Sequence, residues 1–516
     1  MRGRRPGRVW LVGAGPGDPG LITVRGLEAL RRAEVVVYDA LAPRSLLDLA
    51  PATAERIDAG KRPGGPRAAQ TRLNRLLVAR ARQGRAVVRL KGGDPLLFGR
   101  GGEEAEVLAA ARVPFEIVPG VTAALGAAAW AGIPLTHRRH ASTVVLAPGH
   151  AGPGRRPIDG RLLAGADTLV LYMGARRLPA IARRLIESGM AAETPAALVG
   201  RATCPGQRVV EGTLATVPAM ARRAGIGPPA ILIAGPVVRL RRRLDWASRR
   251  PLAGRTIVVT RARGQAEEFS ARLREAGAHV LEAPAIAFEP PRSWAAIDGA
   301  LRRLTAYRFV IFTSVNGVDR FFDRLLERDG DVRDLAGARL VAIGPATAAA
   351  LRTRGLRVAA VPGEYRAEGV IRAMVRLAGR PGLRGARILI PRAAVARDLL
   401  PRALRGRGAQ VDVAPVYRTR PAREGIRGTA AALRRGEVDL ITFTSSSTVT
   451  AFARKFRDRR LLRGRAAAVI GPITAATARR LGFRVRVMPR AYTVPALAEA
   501  IVRAFRSSPS ETPRGS

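Results

Sequence analysis

The residues of this 516-residue chain that are able to do chemistry lie mainly in two glycine-rich runs and two repeated hydroxyl-bearing motifs. The first run is Val12-Gly13-Ala14-Gly15-Pro16-Gly17-Asp18-Pro19-Gly20. Glycines let a backbone turn tightly and approach a ligand closely. On spacing alone the run passes for a dinucleotide cradle, with Asp39 in the place of a ribose-binding acid. Pro16 and Pro19 argue against that, because each removes an amide donor that a pyrophosphate would use. The second run is Val88-Arg89-Leu90-Lys91-Gly92-Gly93-Asp94-Pro95, continuing through Phe98-Gly99-Arg100-Gly101-Gly102-Glu103-Glu104. Far downstream, Phe312-Thr313-Ser314 recurs as Phe443-Thr444-Ser445, and Gly344-Pro345-Ala346-Thr347-Ala348 recurs as Gly471-Pro472-Ile473-Thr474-Ala475. Hydroxyls at such points either bind carboxylates or cap helices. Two similar lobes would explain why order and spacing are both kept.

The elements that must hold these residues alternate along the chain. Segments 9–13, 35–39, 86–90 and 115–118 read as buried strands, with helices over 24–32 and 70–83. A second block begins near Trp130, with strands at 143–147, 168–173, 196–199 and 230–234, helices at 178–188 and 216–224, and a basic, apolar close at 237–246. An Arg/Pro/Gly run at 249–255 reads as a linker. The pattern then restarts with a strand at 256–260 and a helix at 265–276, followed by strands at 309–313, 339–343, 387–390, 440–444 and 466–470. Short aliphatic runs between longer amphipathic segments are the signature of an α/β fold.

The formal charge is +49, from 89 Lys and Arg against 40 Asp and Glu. It is nearly all arginine, since the lysines are Lys61, Lys91 and Lys455. Codon bias in a GC-rich genome would produce this, as would a polyanionic partner. The arginines are scattered and form no basic block interleaved with aromatics, so a nucleic-acid partner is not expected. The single Cys204 permits no intrachain disulfide and points to a reducing, cytoplasmic setting. Residues 1–7 are basic without the apolar stretch of a signal peptide. No apolar run reaches the roughly 18 residues of a membrane span. Residues 507–516 read as a disordered tail.

Further motifs extend the first half: Gly60-Lys61-Arg62, Val118-Pro119-Gly120-Val121-Thr122-Ala123, Gly132-Ile133-Pro134-Leu135-Thr136-His137-Arg138 and Leu171-Tyr172-Met173-Gly174. In that order they make residues 9–246 resemble the uroporphyrinogen-III C-methyltransferases, tetrapyrrole methylases that use S-adenosylmethionine. The resemblance implies two α/β domains with that cofactor between them, no metal, and a homodimer formed through this half. It implies cofactor contacts at Pro16, Gly92, Gly93, Asp94, Leu97, Thr122, Ala123, Met173 and Ala202, the last in place of an expected glycine. It also implies that Asp39 accepts a proton and that Lys61 donates one; Arg89 lies on the same motif as Gly92 and Gly93, and its guanidinium is of the type that grips substrate carboxylates. From residue type alone, Asp39 reads equally as a helix N-cap and Lys61 as a solvated loop charge, and Lys91 reads as support for the Gly-Gly-Asp turn. The family's Thr-Gly-His triplet is Pro148-Gly149-His150 here, so its hydroxyl is lost.

The second half contains Thr260-Arg261-Ala262, Gln265-Ala266, Val315-Asn316-Gly317-Val318, Val416-Tyr417-Arg418-Thr419 and Ser445-Ser446-Ser447. Over about 252–505 it is similar to uroporphyrinogen-III synthase. This implies two α/β lobes joined by a two-stranded connector, one from 254–287 plus 421–506 and the other from 290–417. Carried over by motif, Thr313, Ser314, Thr347, Ser445, Ser446 and Thr474 bind substrate. Tyr417 assists departure of a hydroxyl, or else simply packs in the connector. The expected layout is a methylase at 8–246 (subdomains about 8–127 and 128–246), a linker at 247–253 and a synthase at 254–506. Such a fusion would cyclise hydroxymethylbilane to uroporphyrinogen III and methylate that product twice to precorrin-2. The alternative is a methylase carrying a non-catalytic synthase-like module.

Overall fold

The structure is a computed structural model that describes residues 7–60, 68–150, 159–204, 206–364, 366–380, 382–396, 398–422 and 425–506. Lys61 and the segment 507–516 lie outside the described residues. The chain divides into two compact units. One is built on the chain through Thr256 together with Leu273–His279, and the other on Ile257–Arg272 and Val280–Ala504.

The first unit opens with a parallel sheet of β1 (Val9–Gly13), β2 (Val35–Tyr38), β3 (Glu55–Asp58), β4 (Val87–Lys91) and β5 (Phe115–Val118), in the order β3-β2-β4-β1-β5. The central strands are nearly all apolar because both faces of a parallel sheet are covered. Leu30 and Leu46 pack on the face of Val12, Val88 and Leu90, while Leu77 and Leu108 pack on the face of Val9, Leu11 and Val87. The chain therefore leaves β1 and β4, which are neighbours, toward opposite faces. That divergence opens a crevice at their C-terminal ends, the usual ligand site of such sheets. Both glycine-rich runs begin there.

The second sheet is mixed. It contains β6 (Val144–Pro148), β7 (Thr168–Tyr172), β8 (Pro195–Gly200), β9 (Arg208–Thr213) and β10 (Ala230–Ala234), in the order β6-β7-β10-β8-β9. Strands β6 and β7 run parallel, and β10 runs antiparallel to both of its neighbours.

The second half starts a third sheet with β11 (Thr256–Val259) and β12 (His279–Glu282). It then crosses into a fourth sheet for β13 (Ile286–Glu289), β14 (Phe309–Phe312), β15 (Arg339–Ala342), β16 (Val358–Ala360), β17 (Arg387–Ala393) and β18 (Gln410–Pro421). It returns to the third for β19 (Leu440–Phe443), β20 (Ala466–Val469) and β21 (Arg484–Val487), giving the orders β12-β11-β19-β20-β21 and β13-β18-β17-β14-β15-β16. The long β18 runs parallel to β17 through Tyr417, then pairs antiparallel with β13 from Arg418 to Pro421. The two crossings thus lie side by side as a ribbon.

Candidate active sites

In the first unit the two glycine runs meet as backbone. Gly15 and Gly93 exchange hydrogen bonds, N–H of Gly93 to O of Gly15 at 2.8 Å and N–H of Gly15 to O of Gly93 at 3.3 Å. Both take positive φ, 75° and 69°, which glycine adopts without penalty. Gly13 and Gly120 press against the same point. A Cβ on Gly13 would lie 2.5 Å from the Gly120 Cα and 2.7 Å from the Gly93 oxygen. The glycines are there because three loops close on one another with no space for a side chain.

Around this junction the residues expected to contact a cofactor are held in different ways. Pro16 rests on Gly126 of the helix Ala123–Ala131, where a Cβ would come within 2.4 Å of its ring. Asp94 is consumed by its own loop and the neighbouring Gly120 turn, for its carboxylate accepts backbone N–H groups from Leu96 (2.8 Å), Leu97 (3.1 Å) and Gly120 (3.0 Å). What Gly92, Gly93, Asp94 and Leu97 offer outward is therefore mostly backbone. Thr122 caps the Ala123–Ala131 helix by position, but its hydroxyl instead bonds the Tyr172 phenol at 2.7 Å. Tyr172 also accepts the Ala124 N–H at 3.1 Å, and burial raises its pKa. Met173 follows at φ 57° and is 54% exposed. Ala202 is buried between two left-handed residues, Arg201 and Thr203. Thr203 Oγ1 accepts the N–H of Asp18 at 2.9 Å, which pins the first glycine turn to the second sheet's domain. Among the described residues, seven non-glycines have positive φ, and five of them (Phe98, Arg100, Met173, Arg201, Thr203) lie in these loops. Strain of that kind concentrates where function demands a shape.

Asp39 follows β2, with its side chain 30% exposed. One oxygen accepts from the Arg89 guanidinium at 2.5 Å. It caps no helix; the next helical turn begins at Arg44 with Pro43 in the cap position. The expectation for Arg89 is corrected. Its side chain is 2% exposed and bonds Asp39, Glu104 and backbone carbonyls, because it points from β4 into the sheet's covered face. It has no surface with which to grip a substrate carboxylate. Lys91 is likewise buried, and donates to Glu104 at 3.0 Å rather than to the Gly-Gly-Asp turn. Burial, then the nearby Arg89 charge, lower its pKa, while Glu104 opposes the shift. Neither Glu104 nor Tyr172 stands out by type in the sequence; only their partners reveal them.

In the second unit the repeated motifs occupy equivalent places. Ser314 (φ −166°, ψ 158°) and Ser445 (φ −164°, ψ 157°) are N-caps of the helices Val315–Glu327 and Ser446–Arg454. Each side chain accepts the N–H three residues on, at 3.0 Å from Gly317 and 3.2 Å from Thr448. Gly344 and Gly471 stand at the N-cap positions of the next helices, Pro345–Arg352 and Pro472–Arg480, whose first turns carry the buried Thr347 and Thr474. Thr313 is half-buried at the end of β14, and Ser446 Oγ donates to the Ile473 carbonyl at 3.3 Å. Each lobe thus aims two helix N-termini past the ends of adjacent parallel strands, and such N-termini favour anions. Tyr417 is buried, edge-on to Phe288 at 5.3 Å, with its hydroxyl 3.2 Å from Ser314 Oγ. It is both packed and hydrogen-bonded into the motif. Sequence reasoning left out the residues that link the lobes here. Gln265 Nε2 donates to Asn316 Oδ1 at 2.9 Å, and the Arg261 guanidinium, its pKa lowered by burial, donates to the Gln265 carbonyl at 3.0 Å. Both lie in the quoted motifs, which was the available signal.

Comparison with known proteins divides the chain the same way. Residues 8–218 match the family of tetrapyrrole (corrin/porphyrin) methylases, and 267–499 match uroporphyrinogen-III synthase HemD. The porphyrin biosynthesis protein HemD of Ruminiclostridium josui is 37% identical over 485 residues, 93% of this chain and 94% of that protein. The siroheme synthase of Azotobacter vinelandii is 52% identical over 241 residues, 46% of this chain and 52% of the relative, so the match spans about half of that protein. A crystal structure of uroporphyrin-III C-methyl transferase from Thermus thermophilus, complexed with S-adenyl homocysteine, is 43% identical with a TM-score of 0.40, covering 45% of this chain and 100% of that one.

Proposed function

Because the chain belongs to the family of the porphyrin biosynthesis protein HemD, with a tetrapyrrole methylase in its first half and a uroporphyrinogen-III synthase in its second, we propose that the two halves catalyse consecutive steps. Residues 254–506 would close hydroxymethylbilane to uroporphyrinogen III, and residues 8–246 would methylate that product twice to precorrin-2. The single observation that carries the methylase reading is the three-way glycine junction at the β1–β4 crevice, with Asp39 at the end of the neighbouring β2.

The residues at this junction suit S-adenosylmethionine. The loops at 16, 92–94, 97, 122–123, 173 and 202 would present mostly main chain and small side chains to a zwitterion carrying an adenine and a ribose, Pro16 through its carbonyl alone, while the N–H groups of Gly93, Leu97 and Ala124 are already spent on Gly15, Asp94 and Tyr172. When bound, that cofactor supplies an electrophilic methyl group. The chain's own task is to hold a pyrrole carbon in line with it and to manage one proton. The methylated carbon becomes quaternary and the ring system gains a positive charge, so the balancing proton leaves from another position of the methylated ring system, and Asp39 is its acceptor in this reading. Lys61 is its proposed donor counterpart. Two copies of the chain would pair through this half, in the cytoplasm.

In the synthase half, Tyr417 donates a proton as the terminal C–O bond of hydroxymethylbilane breaks, so that the hydroxyl leaves as water. Ring closure at the inverted pyrrole then releases a proton that restores the phenol. Thr313, Ser314, Thr347, Ser445, Ser446 and Thr474 stand at helix N-termini that suit the substrate's eight carboxylates. A coupled assay with hydroxymethylbilane and S-adenosylmethionine tests both halves. The expected outcome is type III product carrying transferred methyl groups. Type I uroporphyrin alone would remove the synthase reading, and unmethylated type III product would remove the methylase reading.

A further inference from the structure

The charge cluster behind Asp39 has no task in the chemistry described so far. Arg89, Lys91 and Glu104 are the buried charged residues among those described, and Glu104 contacts the other two. Arg89 and Lys91 alternate along β4, so both face the helices Ala68–Arg82 and Gly101–Ala110. Glu104 rises from the second of these helices. Its Oε1 accepts from Lys91 Nζ at 3.0 Å, Gln70 Nε2 at 3.2 Å and Arg89 Nε at 3.3 Å. Its Oε2 is buried with no hydrogen-bond partner among the described residues. With Asp39 at the rim, two cations balance two carboxylates.

Stability alone does not account for such a cluster. Burying ions is costly, and replacing them with apolar residues of similar volume is often neutral or stabilising. The geometry gives a different reason. Arg89 forms a fork, with Nε on Glu104, one terminal nitrogen on Asp39 at 2.5 Å and the other 3.4 Å from the Val37 carbonyl. Glu104 fixes the rear of the fork, and the front of the fork fixes the Asp39 carboxylate.

We propose that Glu104 is a positioning residue for methyl transfer, orienting Asp39 through Arg89. The proposal rests on the reading of Asp39 as proton acceptor. Removing the Glu104 charge frees the guanidinium to rotate or to collapse onto Asp39, either of which misplaces the carboxylate by an ångström or so. Misplacement on that scale lowers turnover by about 10²-fold. Because Glu104 lies behind the sheet, S-adenosylmethionine affinity and KM should stay unchanged.

The test is a mutant cycle on the full chain, with single-turnover transfer of a radiolabelled methyl group to uroporphyrinogen III and calorimetric titration of S-adenosylmethionine. Glu104→Gln, Asp39→Asn and the double variant are compared. Glu104→Gln should lower kcat with KM unchanged, and should cost nothing further once Asp39 is Asn, because its effect passes through that carboxylate. Additive losses would overturn the positioning role and leave Asp39 in place. Full turnover by Asp39→Asn would instead overturn the reading beneath it. If Glu104→Gln fails to bind S-adenosylmethionine and so is not properly folded, Arg89→Lys takes its place. Arg89→Lys keeps the charge but lacks the fork, and the same non-additivity with Asp39→Asn is required.

Discussion

Replacing Gly13 with alanine tests how tightly the methylase crevice is closed. The added Cβ would sit 2.5 Å from Gly120 Cα, 2.6 Å from Gly120 N and 2.7 Å from the Gly93 oxygen, all of them backbone atoms that no side-chain rotation can move. Ordinary contact begins near 3.4 Å, so one of the three loops must retreat by about 0.7 to 0.9 Å. Two effects should follow. Overpacking of a filled site costs about 1–3 kcal/mol, which for a unit of this size lowers its Tm by roughly 2–12 °C. A displacement approaching 1 Å in loops that hold a reactant costs up to about 10²-fold in rate. Calorimetric titration with S-adenosylmethionine, methyl transfer and scanning calorimetry read these out together, with hydroxymethylbilane cyclisation as the internal control. Gly13→Ala should weaken cofactor binding and slow transfer while cyclisation is unchanged. Wild-type affinity and turnover would refute the idea that this backbone junction shapes the site.

Three further outcomes are expected. Tyr417→Phe removes the hydroxyl that meets Ser314; cyclisation should slow and the type I share of product should rise with little change in stability, and an unaltered isomer ratio would assign Tyr417 to packing alone. Ser445→Ala deletes the N-cap bond to Thr448 and its capping box, which should cost about 1 kcal/mol in denaturant unfolding of the second unit; no loss would mean the cap is replaced by water. Asp167 accepts N–H and hydroxyl bonds from Thr143 and Ser142, which lower its pKa from 3.8 to about 2. The depressed value means that its stabilising contribution is present above pH 3.8 and is lost as pH falls toward 2. Asp167→Asn should therefore flatten the acid side of the first unit's stability profile in that window, and an unchanged profile would contradict the assignment.

The strands that were legible in the sequence share one property. Central strands such as β4, β7, β10, β14 and β19 are buried along their whole length and read as mainly apolar runs, β4 carrying Arg89 and Lys91 among its apolar residues. Those that escaped, β3, β9, β12, β13, β16 and β21, are all edge strands. None is buried throughout and each is only three to six residues long, most of them mixing charged or polar with apolar side chains. The twelve-residue β18 was missed for another reason: it belongs partly to the sheet and partly to the ribbon, and Asp412 and Pro415 break its pattern.

The same division holds at the sites. Glycines at 13, 15, 93 and 120, the paired motifs at 314 and 445, and the alternation that makes the fold α/β are local demands of backbone geometry and burial, so the order of residue types alone was enough to find them. Direction and partnership were decided by the tertiary structure. Arg89 belongs to the same motif whether it reaches for a substrate or turns inward; only the packing of two helices against β4 places Glu104 behind it and Asp39 before it. Asp94 spends its carboxylate on Gly120, 26 positions away, and Thr122 finds Tyr172 50 positions away. Hydrogen bonds of that span arise from how sheets and loops close on one another, and a buried charge takes its role from whichever group is brought to meet it.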